Sequence, residues 1–157
     1  MAEEKFMRHA IEEAYLGAGK IDGGPFGAVI VKDAEVISSA HNTVLKDGDP
    51  VQHAEVRAIS LAAVKLGNYD LSGCEIYSTT EPCPMCFSAV HWARIDKLVF
   101  GTFIEDVRKR GFNELAIPAL TMKELGLSPV VVEEGFMRDE CLKVLEYWDG
   151  LEEKKVY

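Results

Sequence analysis

The sequence predicts an α/β fold, namely a three-layer α/β/α domain with a mixed five-stranded sheet. Two apolar runs, at residues 26–32 and 36–40, are separated by only three residues, so they predict an antiparallel hairpin. Between residues 75 and 102 a strand pattern, a helix pattern and a second strand pattern follow one another, which indicates parallel strands joined by a right-handed crossover. Helical patterns near both ends of the chain would supply the outer layers.

The first predicted helix covers residues 3–18, where apolar side chains recur at helical spacing before Gly19. After the hairpin, residues 56–66 are apolar on most sides, which predicts a helix buried against the sheet. Glycines and prolines interrupt residues 103–128, so we expect only short helices there. The other predicted elements are strands at 75–80, 97–102 and 130–133 and helices at 85–94 and 138–148.

Length and composition predict one domain over residues 1–157, with residues 149–157 as a charged C-terminal tail. No apolar run reaches the roughly 20 residues that a membrane helix needs. The first residues lack the basic start and the apolar core of a signal peptide. Four cysteines without such a signal indicate a reducing compartment, so we expect a cytoplasmic protein.

The formal net charge of −9, from 26 acidic and 17 basic residues, bears on the choice of partner. A protein that binds tRNA or DNA needs a basic face to neutralise the phosphates, and the excess of acidic residues offers no obvious one. Nucleic acid is therefore disfavoured as a partner. The cluster Arg108-Lys109-Arg110 is the one local exception, and we interpret it as a solvated turn or helix end.

Three residues predict a metal site. Cys83 and Cys86 stand three positions apart, and a helix that begins near Pro84 would point its free N–H groups at them and favour their thiolate forms. His53 stands upstream at another predicted helix start, and catalytic zinc sites use three protein ligands and one water. We therefore expect one Zn²⁺ per chain on His53, Cys83 and Cys86, with water or hydroxide as the fourth ligand. A redox cysteine pair is the alternative.

Glu55 lies two residues after this histidine and could move the protons of the metal-bound water. His-x-Glu followed by Pro-Cys-x-x-Cys is the signature of zinc-dependent nucleobase deaminases. The chain resembles this cytidine deaminase superfamily over roughly residues 1–115, and it is most similar to the small bacterial guanine deaminases. The segments that carry the resemblance are Gly23-Gly24-Pro25-Phe26-Gly27-Ala28-Val29-Ile30-Val31, Asn42, His53-Ala54-Glu55, Glu81-Pro82-Cys83-Pro84-Met85-Cys86 and Trp92-Ala93-Arg94.

The resemblance implies a cytidine deaminase-like fold and an aminohydrolase that acts on the C–N bond of a cyclic amidine. The expected reaction is deamination of a free purine base, guanine to xanthine with release of ammonia. The segment 130–145 looks more like the nucleoside and tRNA branches of the superfamily. A tRNA adenosine deaminase and a cytosine or cytidine deaminase therefore remain alternatives, and a non-catalytic zinc-stabilised binding module is a third.

The resemblance also implies roles for individual residues. Glu55 and Glu114 are the expected catalytic acids, and a homodimer whose C-terminal tail closes the site is expected. Each assignment has a structural alternative. Glu55 and Glu114 would then be a first-turn acid that the helix dipole favours and a solvated acid in a loop, and Asn42 would only cap a turn. The aromatic residues would pack in the core, and the tail would be a frayed terminus. The expected substrate contacts are Asn42, Phe26, Ala54, Trp92, Glu114 and Tyr157.

Overall fold

The structure is a computed structural model that describes all residues from 1 to 157. Its centre is one five-stranded sheet with the strand order β2-β1-β3-β4-β5. The first strand pairs antiparallel with both of its neighbours, whereas the last three strands run parallel to one another, so the predicted mixed sheet is confirmed. The strands are β1 (Gly27–Lys32), β2 (Glu35–His41), β3 (Cys74–Thr80), β4 (Lys97–Thr102) and β5 (Val131–Glu133).

Five of the seven helices cover the two faces of the sheet, which confirms the predicted layers. The seven helices are α1 (Glu4–Gly19), α2 (Val44–Asp47), α3 (Ala54–Leu66), α4 (Pro84–Trp92), α5 (Ile104–Arg108), α6 (Ala119–Gly126) and α7 (Arg138–Asp149). Helices α1 and α7 pack on one face, and α3, α4 and α6 lie on the other. None of the seven combines the length and the hydropathy that a transmembrane span requires.

Side chains alternate between the two faces of the sheet, as the pleat of a strand dictates. Ile30, Ile76 and Leu98 point into the core beneath α3 and α4. Their chain neighbours Val29, Tyr77 and Val99 point into the opposite core beneath α1 and α7. Both cores are apolar, which explains why the central strands read as continuous hydrophobic runs in the sequence.

Two local features differ from the sequence-based prediction. Residues 44–47 form the single helical turn α2, which ends where Gly48 adopts a left-handed φ of 62°. The connection of the hairpin is the two-residue turn Asp33-Ala34, because Lys32 already pairs with Glu35. Both turn residues have positive φ, of 50° and 61°, which the right-handed twist of a two-residue hairpin requires.

The strand directions bring four chain segments to one edge of the sheet. Strands β3 and β4 are parallel and end there, and the chain continues from them to α4 and α5. Strand β1 is antiparallel to β3, so it begins at this same edge, and its partner β2 ends there. Sites in open α/β sheets lie outside the carboxyl ends of parallel strands. The candidate site occupies this edge.

Candidate active site

Two helix starts carry the predicted metal ligands. His53 is the residue before α3, and Cys83 is the residue before α4, with Pro84 at the first helical position. Cys86 follows in the first turn of α4 and is completely buried. Both predicted helix starts are therefore confirmed, and the positive ends of two helix dipoles meet at the three side chains.

The three side chains are arranged as a metal ion requires. His53 Nδ1 lies 3.6 Å from Cys83 Sγ and 3.5 Å from Cys86 Sγ. Zinc–sulfur and zinc–nitrogen bonds of about 2.3 and 2.05 Å at a tetrahedral angle would separate sulfur from nitrogen by roughly 3.6 Å. The ligand atoms of the group lie within 4.8 Å of one another. These residues fit a zinc ion without a change in their positions.

The two thiols are electrostatically unequal. A hydrogen bond from Cys86 is the main cause that lowers the pKa of the Cys83 thiol to about 4; burial opposes this effect, and a hydrogen bond with His53 adds to it. The bond to Cys83 and burial together raise the pKa of the Cys86 thiol well above its ordinary value. Cys83 is thus a thiolate at neutral pH, which is the form that ligates a metal. A bound cation would also deprotonate Cys86.

Glu55 lies in the first turn of α3, directly beside the metal ligands. Its Oε2 is 3.4 Å from Cys86 Sγ, and its Oε1 is 2.9 Å from the hydroxyl oxygen of Ser78 on β3. The carboxyl group is buried, and this burial raises its pKa. Glu55 also lines a cavity at this edge of the sheet, so it lies beside both the predicted metal ligands and a space for a ligand.

A cavity of about 370 Å³ opens beside His53, Glu55 and Cys83. Aromatic side chains from distant parts of the chain form its wall. Phe112 is central to this wall: its ring centroid lies 5.4 Å from that of Phe26 and 5.3 Å from that of Tyr157, both edge-on. The sequence analysis did not identify Phe112 as a residue of the cavity wall. The one signal in the sequence was its position two residues before Glu114.

Glu114 also lines this cavity. Burial raises its pKa to about 7, and the negative charges of Cys83 and Glu55 act in the same direction. The side chain is neither a fully solvated loop acid nor part of an ion pair. The structure therefore brings a second carboxyl group to the same cavity as Glu55, from a segment 59 positions later in the chain.

Asn42 lies at the same edge of the sheet and is 1% exposed. Its Oδ1 accepts a hydrogen bond from the Val44 N–H at 3.0 Å, so it does cap a turn. Its buried Nδ2 makes no hydrogen bond of good geometry, but the side chain lies close enough to the Tyr157 hydroxyl to oppose the rise in pKa that burial causes in that group. Gly23 packs against this side chain so closely that a Cβ would lie 2.0 Å from Asn42 Oδ1.

The last residue of the sequence, Tyr157, reaches the cavity of its own chain. Its hydroxyl oxygen accepts the Gly24 N–H at 3.1 Å, and its carbonyl oxygen accepts the Asn113 N–H at 2.9 Å. The ring packs against Phe112. The tail is therefore docked, and Tyr157 lines the cavity of its own chain.

Trp92 and Ala54 do not line the cavity. Trp92 is the last residue of α4 and is 80% exposed, beside a different cavity that it shares with Tyr69 and Arg94. It follows Cys86 by six residues, which turns it by about 240° and moves it about 9 Å along the helix. The structure of the single chain therefore does not bring Trp92 to the cavity beside the predicted metal ligands. Ala54 is fully buried in the core between the sheet and α3.

His41, which sequence reasoning left unassigned, fixes the strand end that carries Asn42. Its Nδ1 and Nε2 lie 2.9 Å from carboxylate oxygens of Glu13 and Asp22, respectively. The hydrogen bond to Glu13 is the main cause that raises the pKa of His41, and Asp22 adds to it. Arg57 of α3 donates to the His41 carbonyl at 2.6 Å. Three elements thus hold the backbone beside Asn42.

Two residues of the basic cluster 108–110 form ion pairs within the chain. Arg110 donates through Nε to both carboxylate oxygens of Asp149 at 3.0 Å. Arg108 lies 3.8 Å from Glu105 in an exposed ion pair. None of the three residues lines the cavity.

Comparisons with known proteins agree with the geometry. The family model of the cytidine and deoxycytidylate deaminase zinc-binding region matches residues 1–102. The chain is 42% identical over 114 residues to a guanine deaminase of Bacillus subtilis, over 73% of each chain. It is 45% identical over 124 residues to a tRNA-specific adenosine deaminase of Aquifex aeolicus, over 76% of this chain and 80% of that protein. The solved guanine deaminase from Nitrosomonas europaea superposes with a TM-score of 0.86 at 32% identity, over 96% of this chain and 86% of that one.

Proposed function

Because the chain belongs to the cytidine and deoxycytidylate deaminase family, and is thus a zinc-binding hydrolase that acts on C–N bonds, we propose that it deaminates free guanine. The reaction converts guanine and water to xanthine and ammonia. The observation that carries this choice of base is the second carboxyl group in the cavity, Glu114. The similarity to two guanine deaminases supports it.

Glu114 favours guanine through the atoms that flank the reacting carbon. The amine-bearing carbon of guanine has a ring nitrogen on one side and an N–H donor on the other. In adenine and in cytosine, the second neighbour of the amine-bearing carbon is a carbon atom. A carboxylate at this position gains a charge-assisted hydrogen bond with guanine alone. Such a bond contributes about 1.5 to 3 kcal/mol, which is roughly a ten- to hundredfold preference.

Glu55 is the proposed proton carrier of the reaction. It would accept a proton from the attacking water, pass it to the ring nitrogen beside the amine-bearing carbon, and later help to protonate the leaving amine. Zinc on His53, Cys83 and Cys86 would supply Lewis-acid chemistry by lowering the pKa of a bound water towards neutrality. Glu114, with a pKa of about 7, could return a proton to the departing amine as well.

Three further residues would hold the base. Phe26 and Phe112 form an aromatic wall, and bases are commonly held against such side chains. The Nδ2 of Asn42, which makes no hydrogen bond of good geometry in the structure, would donate to an acceptor of the purine.

A tRNA adenosine deaminase is the second candidate, and one observation favours it. A tRNA-specific adenosine deaminase of Bacillus subtilis matches 98% of this chain at 34% identity. Against it stand the net charge of −9 and the engagement of Arg110 with Asp149, because tRNA binding depends on free positive charge.

We expect guanine to be the preferred substrate in an ammonia-release assay with guanine, adenine, cytosine, cytidine and tRNA. Glu114→Gln should lower guanine turnover at least about tenfold at unchanged zinc content, because the amide cannot form the charge-assisted bond. Glu134→Gln, the same change at an exposed position, is the matched control and should have no effect. Intact guanine turnover in Glu114→Gln would remove that role, and preferred turnover of tRNA would favour the second candidate.

Glu55→Ala should keep its zinc and its fold but lose at least about a hundredfold in rate, since general acid–base catalysis contributes roughly 10²- to 10⁴-fold. Cys83→Ala should instead lose the metal itself, because three protein ligands become two. Metal analysis of both purified variants, together with single-substrate kinetics, distinguishes the two roles. Parental turnover by Glu55→Ala would contradict the proposed mechanism.

Tyr157→Ala should raise the KM for guanine roughly five- to tenfold, because it removes one hydrogen bond to Gly24 and one aromatic contact with Phe112. Glu153→Ala, in the exposed part of the same tail, serves as the control and should behave like the parent. If the kinetic constants of Tyr157→Ala equalled those of the parent, the tail would have no part in substrate binding.

We also propose that the protein is a homodimer. Trp92 and Tyr69 are 80% and 75% exposed and line one cavity away from the active site, and exposed aromatic surface of this kind marks interaction sites. Light scattering should return twice the chain mass of 17.4 kDa. A mass of one chain at micromolar concentration would argue against the dimer.

A further inference from the structure

Glu81 has no role in the mechanism above, yet its carboxylate is buried at 6% exposure beside the metal ligands. Its Oε2 accepts the N–H of Ile104 at 2.9 Å, and its Oε1 accepts the N–H of Ala119 at 2.7 Å. These are the first residues of α5 and α6. Backbone N–H groups at helix starts have no partner within the helix, so one carboxylate satisfies two helix starts at once.

The segment between these two bonds, residues 104–119, forms a loop whose ends meet at one side chain. Compact loops of this size with adjacent ends are a known structural unit. This loop supplies four residues that line the cavity, namely Phe112, Asn113, Glu114 and Leu115. Residues 112–118 have no helix or strand, so no regular hydrogen-bond ladder fixes their position.

Glu81 is itself fixed in place by the sheet. Its N–H donates to the carbonyl of Thr102, at the end of β4, at 2.7 Å. Cys83 follows two residues later, so the same short stretch carries a metal ligand and holds the loop. Glu81 lines the same cavity as His53 and Cys83, but its two oxygens accept hydrogen bonds from Ile104 and Ala119 and from none of the predicted metal ligands.

We propose that Glu81 is a positioning residue for substrate binding: it holds residues 104–119 at both ends, an arrangement we call the clasp, so that Glu114 lines the same cavity as Glu55. Glu81 acts through Glu114 and does not touch the reacting atoms. This inference rests on the proposed function for its kinetic part, whereas the clasp itself is a property of the chain.

Glu81→Gln tests the clasp at nearly constant shape, since the amide can accept only one of the two N–H groups and presents a donor to the other. In the zinc-loaded protein we expect the KM for guanine to rise at least about fivefold, with a smaller change in kcat and unchanged zinc content. Amide hydrogen exchange should become faster in residues 104–119 but not in α3 or α4. Loss of zinc would overturn the proposal, because the carboxylate would then serve the metal.

A double-mutant cycle separates positioning from general destabilisation. If Glu81 acts through Glu114, Glu81→Gln should change the KM of the Glu114→Gln protein less than about twofold, because coupled residues are not additive. An equal effect in both backgrounds would overturn the proposal, as would an unchanged KM in the parent background.

Ala119→Pro breaks one arm of the clasp from the other side, which keeps the test open should Glu81→Gln fail to fold. Proline is favoured at the first position of a helix and lacks the N–H that Glu81 accepts. The same rise in KM and the same faster exchange are expected. If the parent protein does not deaminate guanine, the proposed function fails. The rate of amide hydrogen exchange in residues 104–119 then tests the role of Glu81 by itself. An unchanged exchange rate in both variants would overturn that role.

Discussion

The distance between the amino ends of α3 and α4 is the constraint on which the site depends. His53 and Cys83 stand immediately before these helices, and their ligand atoms are 3.6 Å apart. Helix α4 follows β3 after three residues, whereas α3 is held by packing on the hairpin and on α4. A register shift of one residue between β1 and β3 would move the hairpin by about 3.3 Å and turn its side chains to the other face. The sheet register therefore sets the metal geometry.

Several acidic side chains lie close together at this edge of the sheet, and a different hydrogen-bond donor stabilises the negative charge of most of them. Glu81 accepts two backbone N–H groups, Cys83 accepts a hydrogen bond from Cys86, and Glu55 lies beside the Ser78 hydroxyl. A cation on the thiols would offset much of the remaining charge. Glu114 has no side-chain hydrogen bond in the structure, and its pKa is raised to about 7. A hydrogen-bond donor on a bound ligand would therefore stabilise the carboxylate of Glu114 more than those of Glu55 and Glu81, which already have donors.

The sequence predicted the elements and the metal ligands because both depend on local patterns. Helix starts at His53 and Cys83 follow from turn residues and a proline, and the alternating layers follow from hydrophobic periodicity. Trp92 lies away from the cavity because the helix turns by about 240° between Cys86 and Trp92, and proximity along the chain does not give that direction. The contacts of Phe112 and Glu81 join segments far apart in the chain, so no local pattern could indicate them.

The groups that the proposed reaction requires and the carboxyl group that would select guanine lie in different parts of the chain. The family match covers residues 1–102, which contain Glu55 and the three residues that could hold a metal ion. Phe112, Glu114 and Tyr157 line the same cavity but lie beyond that match. Relatives that act on guanine and on tRNA adenosine are similarly close to this chain, as expected if they share the first part and differ in the second. Glu81 connects these two parts of the chain. It lies two residues before Cys83, and its carboxylate accepts the N–H groups of Ile104 and Ala119 at the two ends of the segment that carries Phe112 and Glu114.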